Sequence, residues 1–264
     1  MNIEVAVIPA AGRGTRMRPA TRVVPKALIT VVDRPAIQYA VEEAARAGAT
    51  EAVVVVDLDA GHLIAQHFKL DGPLPGLEDI RVRPVVQEEP LGLGHAVYEA
   101  AEMVGDRPFY CLLSDNIVRP GHDVLGEMAK GSRGGEVSVM CLRRLSDEFL
   151  SKYGVVVPTS EVEGGYLDIG GAVEKPGAGS APSDLGLVGR YLFTPEIFSI
   201  LEKTAPGVGG EIQLTDAINE LGLRGRLRGF VAEHDLLDVG TPQGLLHASG
   251  VLGAHEFGPD VFEK

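Results

Sequence analysis

The residues closest to the N-terminus have types and spacing that suit the binding of an anion. The apolar run Ile3 to Ile8 is followed by AAGRGTRMRP, which places two glycines and three arginines within seven residues. A surface turn needs one or two unusual backbone dihedrals and gains nothing from clustered like charges. Glycines let backbone N–H groups approach a phosphate, and Arg16 and Lys26 add positive charge. We therefore predict a phosphate-binding loop, with an arginine-rich surface loop as the alternative.

Two well-known phosphate-binding motifs do not fit this loop. The dinucleotide fingerprint G-x-G-x-x-G needs a third glycine where the chain has Met17, and that glycine allows the helix to pack against its strand. A Walker loop needs a lysine immediately after a glycine, whereas Lys26 lies twelve residues after Gly14. The sequence therefore argues against a Walker loop and disfavours a Rossmann oxidoreductase.

Composition excludes several classes of function for these 264 residues. The formal net charge of −13 argues against nucleic acid as a partner, because such proteins neutralise phosphates with a basic surface. Cys111 and Cys141 lie in apolar runs, so we expect buried, reduced thiols and a cytoplasmic location rather than a disulfide or metal framework. No run approaches the roughly 20 apolar residues of a membrane span, and no signal peptide is recognisable. We therefore expect a soluble, unprocessed chain.

The first half of the chain must form the elements that hold the loop. Strand-like and helix-like segments alternate in the order EVAVIP, PAIQYAVEEAARAG, EAVVVV, AGHLIAQHF, RVRPVV, GLGHAVYEAAEMV and PFYCLLSD. Strands that are apolar without alternation are typical of a parallel sheet covered by helices on both faces. The pattern predicts an α/β fold, doubly wound around a mostly parallel mixed sheet, with residues 1–135 as its α/β half.

The second half, residues 136–264, has a different pattern. Short strands separated by turn signals follow one another as EVSVMCLRR, YGVVVP, YLDI, AVEKP and LVGRYLF. We predict a small α+β extension, helices over 195–202 and 211–221, a late strand LRGFVAEH and a final helix within DVGTPQGLLHASGVL. The two parts are expected to form one continuous domain.

Eight motifs in order carry a resemblance to a known family. AAGRGTRMRPATRVVPKALITVVDRPAIQYAV resembles the N-terminal signature of the sugar-1-phosphate nucleotidyltransferases. Seven further pieces are similar and cover most of the chain: QEEPLGLGHAV, LLSDN, KYGVVV, VEKP, LVGRYLF, GGEIQLTDAI and DVGTPQGLLHA. LVGRY and EIQLTDAI look most like the bacterial UTP:glucose-1-phosphate uridylyltransferases. The resemblance implies a Rossmann-like nucleotidyltransferase fold in which residues 1–135 bind nucleotide and residues 136–264 add the sugar-phosphate-binding extension.

The reaction implied by the resemblance is attack by a sugar-1-phosphate oxygen on the α-phosphorus of a nucleoside triphosphate, releasing pyrophosphate. Because two anions must meet, catalysis depends on in-line positioning and on cations. By similarity, Arg16 would hold the triphosphate, Lys26 would reach the phosphates near the reacting centre, and Lys175 would neutralise the sugar phosphate. Asp115 and Asp238 would hold Mg²⁺. A strand-end turn or cap is the alternative role of Asp115, and a turn before glycine that of Asp238.

The resemblance also implies the residues that line the two substrate sites. The base would lie against Gln87 and the backbone around Ala10, Ala11 and Gly92. The full nucleotide set is Ala10, Ala11, Gly12, Gly14, Thr15, Gln87, Gly92 and Asp115. The sugar set is Gly154, Glu174, Lys175, Val188 and Tyr191. Val188 and Tyr191 lie three apart on a strand, so their side chains point to opposite faces and only one can face the pocket. Tyr191 has a core position as its alternative.

Other polar residues in these motifs receive structural roles or none. Glu211 and Asp216 are expected at the start of a helix, where acidic groups interact favourably with the macrodipole. His95, His234 and His247 show no metal-ligand spacing with a cysteine, and in-line transfer needs no general base.

The chain departs from the family pattern at two places. Ser114 stands where proline commonly precedes the first metal aspartate, and the segment 69–80 is shorter than in typical glucose enzymes. No long C-terminal β-helix follows the core, so the chain lacks that signature of acetyltransfer or allosteric branches.

We therefore expect a cytoplasmic, Mg²⁺-dependent enzyme that transfers a nucleotidyl group from UTP to a sugar 1-phosphate, with glucose 1-phosphate as the leading substrate. Thymidylyl transfer from dTTP is the nearest alternative, and a catalytically silent nucleotide-sugar-binding protein is a second one. No nucleic acid or membrane partner is expected. A homo-oligomer, either a dimer or a tetramer, is expected.

Overall fold

A computed structural model of the chain describes residues 2–69, 72–177, 179–232 and 236–262. Its strands are β1 Val5–Pro9, β2 Thr30–Val31, β3 Arg34–Pro35, β4 Glu51–Val56, β5 Arg81–Val86, β6 Phe109–Leu112, β7 Asn116–Val118, β8 Ser138–Arg144, β9 Gly154–Pro158, β10 Tyr166–Glu174, β11 Leu185–Phe193, β12 Leu227–Val231 and β13 Leu236–Asp238. Its helices are α1 Ala36–Arg46, α2 Gly61–His67, α3 Leu93–Tyr98, α4 Ala101–Val104, α5 Val124–Gly131, α6 Asp147–Leu150, α7 Glu196–Leu201, α8 Leu214–Leu223 and α9 Pro242–Phe257.

A nine-stranded mixed sheet runs through both halves of the chain in the order β5-β4-β1-β6-β11-β8-β12-β10-β9. The strands β5, β4, β1 and β6 are parallel, which confirms the prediction for the first half. The prediction of a mostly parallel sheet fails beyond β6. There β11 is antiparallel to both β6 and β8, and β10 is antiparallel to both β12 and β9. Only β8 and β12 continue the parallel pairing.

Helices cover both faces of the sheet, as the unalternating apolar strands predicted. Along β1, Ala6 and Ile8 pack on one face with α1, α2 and α5, while Val5 and Val7 pack on the other with α3, α7 and α8. Two-sided burial explains why β1 and β4 contain almost only apolar residues. The proline of the RVRPVV segment lies in β5, an edge strand, where its missing N–H leaves no ladder partner unsatisfied.

The second half differs from its prediction at β10, which joins the predicted strands YLDI and AVEKP into one strand of nine residues. Gly170 and Gly171 indicated a turn in the sequence, but they lie within the strand, where they let helix α8 approach its backbone closely. A Cβ built on Gly222 of α8 would lie 2.5 Å from the backbone N of Gly171 and 2.7 Å from the backbone C of Gly170. Asn219 of the same helix accepts a hydrogen bond from the Ala172 N–H at 3.1 Å.

The predicted helices over 195–202 and 211–221 are present with shifted bounds, as α7 and α8. The shift matters for Glu211, which lies before α8 rather than in its first turn. Asp216 does lie in the first turn. The late strand is β12, and 233–235, which include His234, fall outside the described residues, as do 70 and 71 of the short segment.

Both cysteines are buried and free, as the sequence predicted. Burial raises the pKa of the Cys141 thiol to about 12, and it raises that of Cys111 as well. Such thiols are inert at neutral pH. Among the described residues, no helix combines the length and the apolar character needed to cross a bilayer.

Substituting Gly222 by alanine should destabilise the protein, because the new methyl group would overlap backbone atoms of β10 that have no room to move. Overpacking of this kind costs about 1–3 kcal/mol, measurable as a lower urea midpoint. The matched control is Gly250→Ala in α9, where a Cβ meets nothing within 4 Å and helix propensity favours alanine by about 0.5–1 kcal/mol. Equal stability of the two variants would contradict the close approach of α8 to β10.

Candidate active site

A cavity of about 540 Å³ opens at the carboxyl ends of the parallel strands β1, β5 and β6, where open α/β sheets place their ligands. Pro9 ends β1, Gln87 directly follows β5, and Ser114 lies two residues beyond β6. Every residue of the predicted nucleotide set lines this cavity: Ala10, Ala11, Gly12, Gly14, Thr15, Gln87, Gly92 and Asp115. The motifs therefore predicted one cavity from residues that lie up to about a hundred positions apart in the chain.

The glycine loop folds tightly against Lys26. Gly14 has φ +58, and a Cβ on it would lie 3.0 Å from Cβ of Lys26. The Thr21 hydroxyl donates to the Gly14 carbonyl at 2.7 Å. Both the dihedral and the crowding require glycine here. Met17 is buried at the end of the following turn. A buried apolar side chain therefore stands where a dinucleotide-binding loop has its third glycine.

The arginines of the loop divide between the cavity and its surroundings. Arg13 is among the residues that line the cavity, whereas Arg16 lies outside that lining and is exposed in the turn Thr15–Met17. Its charge makes only the smallest of the contributions to the pKa of the nearby Tyr153 hydroxyl, which it lowers.

Asp115 and Asp238 are brought together by a small antiparallel pair of strands. In the β7–β13 pair Asn116 lies opposite Asp238, and the Val239 N–H donates to the Asp115 carbonyl at 2.8 Å. Both carboxylates face the same gap. A Cβ on Gly240 would lie 2.9 Å from Oδ1 of Asp238 and 3.1 Å from Oδ2 of Asp115.

Lys26 completes this group, since its Nζ lies 3.1 Å from the same point on Gly240 and forms an ion pair with Asp115. Asp238 also takes the turn role foreseen as its alternative, because its Oδ1 accepts the Gly240 N–H at 2.6 Å. A cation and two carboxylates therefore converge on one gap beside the cavity, whose lining includes Lys26 and Asp115 but not Asp238.

The donor set at this gap suits a hard divalent cation that retains other ligands. Among the residues the structure describes, no group of three or more His, Cys, Asp or Glu side chains is arranged to hold a metal, so a closed protein cage is not built here. Mg²⁺ commonly takes only one or two carboxylates and completes its shell with water and substrate phosphates. Asp115 and Asp238, with the space that Gly240 leaves open, fit that mode of binding.

The predicted sugar residues Gly154, Glu174 and Lys175 also come together. Gly154 pairs with Glu174 across β9 and β10, and Glu174 accepts a hydrogen bond from the Thr215 hydroxyl at 2.6 Å. Lys175 Nζ lies 2.8 Å from Glu174, with 58% of its side chain exposed. A Cβ on Gly154 would lie 3.0 Å from Oγ1 of Thr215 and 2.9 Å from Cδ1 of Leu187, so only glycine allows this approach.

Val188 and Tyr191 lie on opposite faces of β11, as predicted, and the structure packs both in the core rather than in the cavity lining. Val188 packs with the α1 side of the sheet, and Tyr191 packs on the other side, stacked on Phe193 with ring centroids 5.5 Å apart. Burial raises the pKa of Tyr191, and the charges of Glu174 and Asp115 add to this shift. Tyr191 therefore takes the core position that was its alternative.

Comparison with known proteins places this geometry in a family, because the profile of the family described as nucleotidyl transferase matches residues 5–253. The chain belongs to the nucleotidyl transferase family. The UTP--glucose-1-phosphate uridylyltransferase of Bacillus subtilis (strain 168) is 38% identical over 261 residues, which cover 92% of this chain and 89% of that protein.

Solved structures agree with this membership and confirm the fold. A UDP-glucose pyrophosphorylase complexed with UDP-glucose is 33% identical, with a TM-score of 0.87, over 96% of this chain and 100% of that chain. A UTP-bound UGPase from Acinetobacter baumannii is 33% identical, with a TM-score of 0.84, over 99% of this chain and 98% of that one. The predicted α/β nucleotidyltransferase fold is therefore confirmed.

A fully buried arginine of this nucleotidyl transferase was missed by sequence reasoning. Arg190 has 0% of its surface exposed. Its Nε and Nη2 bond to the carboxylate of Glu43 at 2.8–3.1 Å, and Nη1 donates to the carbonyls of Leu113 at 3.0 Å and Gly189 at 3.3 Å. Nη2 also donates to the carbonyl of Asn116 at 2.6 Å. These acceptors use all five N–H groups of the guanidinium.

The contacts of Arg190 hold both ends of the short segment that carries Asp115. A signal for this pair was present in the sequence. Arg190 is the only charged residue in the apolar strand LVGRYLF, and Glu43 lies three residues after Ala40 on the buried side of α1. Two opposite charges at core positions of separate elements indicate a buried ion pair.

Tyr153 is a second residue at the site that sequence reasoning did not single out. Burial raises the pKa of its hydroxyl, and the carboxylates of Asp238 and Asp115 raise it further, while the charge of Arg143 and, to a smaller extent, that of Arg16 oppose them. Its carbonyl accepts the Lys175 N–H at 3.2 Å. Tyr153 thus links the carboxylate pair to the sugar side of this nucleotidyl transferase.

Glu211 lines the cavity instead of starting a helix. The loop that carries it packs against Gly92, whose φ is +106 and on which a Cβ would lie 2.7 Å from Cβ of Glu211 and 2.9 Å from the Ile212 carbonyl oxygen. The Ile212 N–H donates to the Leu91 carbonyl at 2.7 Å. The positive φ and the close contact with this loop therefore require glycine at position 92, independently of its predicted place beside the base.

Replacing Arg190 by methionine should destabilise the protein by about 3–5 kcal/mol, because it leaves the carboxylate of Glu43 buried without its partner. The free energy of unfolding in urea measures this loss. Arg144→Met is the matched control, since Arg144 pairs with Asp184 on the surface and exposed pairs contribute about 0–1 kcal/mol. A loss at Arg190 no larger than that at Arg144 would show that the buried pair is not a structural anchor.

Proposed function

We propose that this nucleotidyl transferase makes UDP-glucose and pyrophosphate from UTP and glucose 1-phosphate. The observation that carries the proposal is the convergence of Asp115, Asp238 and Lys26 beside a cavity that is lined by the glycine loop, Lys26 and Asp115. Support also comes from relatives named for this reaction and from a similar structure that holds UDP-glucose.

In the proposed complex the triphosphate lies along the glycine loop. The backbone at Gly12 is accessible, because a Cβ there meets nothing within 4 Å, and backbone N–H groups of such a loop bind phosphate oxygens. Arg13 and Arg16 add charge on two sides of the loop. The base lies deeper in the cavity, against Gln87 and Gly92.

The sugar phosphate is proposed to enter from the side of β9 and β10. Glu174 accepts hydrogen bonds from sugar hydroxyls, oriented by its own bond to Thr215. Lys175 follows on the same strand end, where its exposed amine is free to move onto the phosphate of the sugar. Two anions are thereby held close enough for in-line attack, with the charge of each offset by a lysine.

Asp115 and Asp238 are the residues that would hold Mg²⁺. When bound, the ion supplies positive charge that bridges and neutralises phosphate oxygens. The protein's own part is to fix the two carboxylates, through the β7–β13 pair and the Arg190 contacts, and to keep Lys26 within reach of the same oxygens. No side chain is required as a nucleophile.

Two rival functions make different predictions about the same residues. A thymidylyltransferase would use dTTP, which differs from UTP by a methyl group and a missing 2′-hydroxyl. A silent nucleotide-sugar-binding protein would have no need for the convergence of Lys26 with two carboxylates, which favours an enzyme. We also propose a cytoplasmic location, supported by two free, buried thiols. The homo-oligomer remains a prediction.

Pyrophosphate release in the presence of Mg²⁺ across a grid of UTP, dTTP, glucose 1-phosphate and other sugar 1-phosphates tests the proposed reaction. UTP with glucose 1-phosphate should give the largest kcat/KM. No pyrophosphate with any pair would refute the enzymatic assignment, and a preference for dTTP would replace it by the thymidylyl alternative.

Changing Asp115 to asparagine should lower kcat by about 10²- to 10³-fold, the usual effect of losing one group that stabilises transition-state charge. The matched control is Asp184→Asn on the surface, which should keep the full rate. Calorimetry of Mn²⁺ binding to both variants separates a lost metal ligand from a folding defect. Full activity of Asp115→Asn would remove this carboxylate from the mechanism.

A further inference from the structure

The Gln87 side chain is held by contacts that leave one of its polar atoms without a protein partner. It is only 6% exposed and directly follows β5 in the cavity lining. Its Nε2 lies 3.1 Å from the Gly92 carbonyl oxygen and 3.0 Å from Nδ1 of His95. Among the described residues, no donor reaches its Oε1. That oxygen is not among the enclosed, unsatisfied atoms either, so it opens on the cavity.

The Gly92 carbonyl decides which way the Gln87 amide points. A carbonyl oxygen only accepts hydrogen bonds, so the NH₂ group must be the end that faces it. The opposite orientation would place two carbonyl oxygens about 3 Å apart with no proton between them. The backbone of Gly92 is itself fixed by the loop that carries Glu211. Gln87 therefore presents an acceptor, and not a donor, to whatever occupies the cavity.

His95 reinforces the same orientation. Both hydrogens on Nε2 of Gln87 are donors, so Nδ1 of His95 must be unprotonated to accept one of them. The ring proton then resides on Nε2, which lies 3.0 Å from a carboxylate oxygen of Glu99. A carboxylate accepts that proton's hydrogen bond and selects this tautomer. The chain Glu99–His95–Gln87 thus fixes an amide through one histidine tautomer.

A fixed acceptor at this place distinguishes between pyrimidines. Uracil and thymine carry a hydrogen on N3 and can donate it to Oε1 of Gln87. Cytosine carries a lone pair on N3 and would face that oxygen with a second acceptor. A buried acceptor without its donor costs roughly 1–3 kcal/mol, and sites built around one hydrogen bond reject the analogue that lacks it.

We propose that His95 and Glu99 are positioning residues that make the nucleotide site select bases with an N3–H over cytosine. This inference rests on the proposed function, because it takes the occupant of the cavity to be a pyrimidine nucleotide. It assigns a role to a histidine for which the reaction itself has no use. A purely structural role would be an ordinary i,i+4 contact between His95 and Glu99 that has no effect on the choice of base.

The test measures kcat/KM for UTP and for CTP with glucose 1-phosphate, and the dissociation constants of both nucleotides by calorimetry. The variants are His95→Leu, which removes the acceptor for Gln87, and His95→Gln, which can restore it through its amide oxygen. His95→Leu should narrow the UTP:CTP ratio about tenfold or more, and His95→Gln should recover most of it. Glu99→Leu removes the carboxylate that selects the His95 tautomer, and it should narrow the UTP:CTP ratio by a smaller factor.

The matched control is Glu220→Leu, which breaks the exposed i,i+4 pair with Arg224 and should leave the ratio unchanged. If His95→Leu does not fold, Glu99→Leu carries the test. An unchanged ratio in a folded His95→Leu or Glu99→Leu variant would overturn the inference, as would equal binding of UTP and CTP by the unmodified protein. If the unmodified protein binds UTP more tightly than CTP but releases no pyrophosphate, the proposed function is refuted. The dissociation constants of UTP and CTP for the His95 and Glu99 variants then decide this inference.

Discussion

A buried positive charge is the constraint on which the rest of this structure depends. Taking a guanidinium out of water costs several kcal/mol unless a charge partner and hydrogen-bond acceptors replace the solvent. Arg190 meets that requirement with Glu43 and with three backbone carbonyls. Because these acceptors belong to α1, to β11 and to the segment around Asp115, satisfying one side chain fixes three parts of the chain relative to one another. These contacts thereby fix the segment that carries the Asp115 carboxylate.

Close approach between backbone and side chains also shapes the cavity and the neighbouring cluster of Gly154, Glu174 and Lys175. Glycines at 14, 92, 154 and 240 stand where a Cβ would press on a neighbouring residue. Opposite charges are paired in both regions, with Lys26 beside Asp115 and Lys175 beside Glu174. A protein with a net charge of −13 can attract two phosphorylated substrates only through such local concentrations of positive charge.

Much of this arrangement could be predicted from the sequence, and the failures have identifiable causes. Local patterns indicated β1, β4 and α1, and ordered motifs brought the glycine loop, Gln87 and Asp115 to one cavity. Antiparallel pairing by β11 could not be predicted, because a doubly buried strand reads the same in either direction. Gly170 and Gly171 suggested a turn, since a glycine needed for packing and one needed for a turn look alike in sequence. Relations such as Glu99–His95–Gln87 depend on side-chain geometry, which spacing alone does not give.

The proposed reaction requires that the glycine loop, Lys26 and the two aspartates form one site around the phosphates of UTP. A crystal structure with UTP and Mg²⁺ would show whether they do. We expect phosphates along residues 12–15, a metal ion between Asp115 and Asp238, and the uracil N3–H on Oε1 of Gln87. A nucleotide bound elsewhere, such as in the cavity lined by Arg34, Arg46 and His255, or a metal that touches neither aspartate, would contradict it.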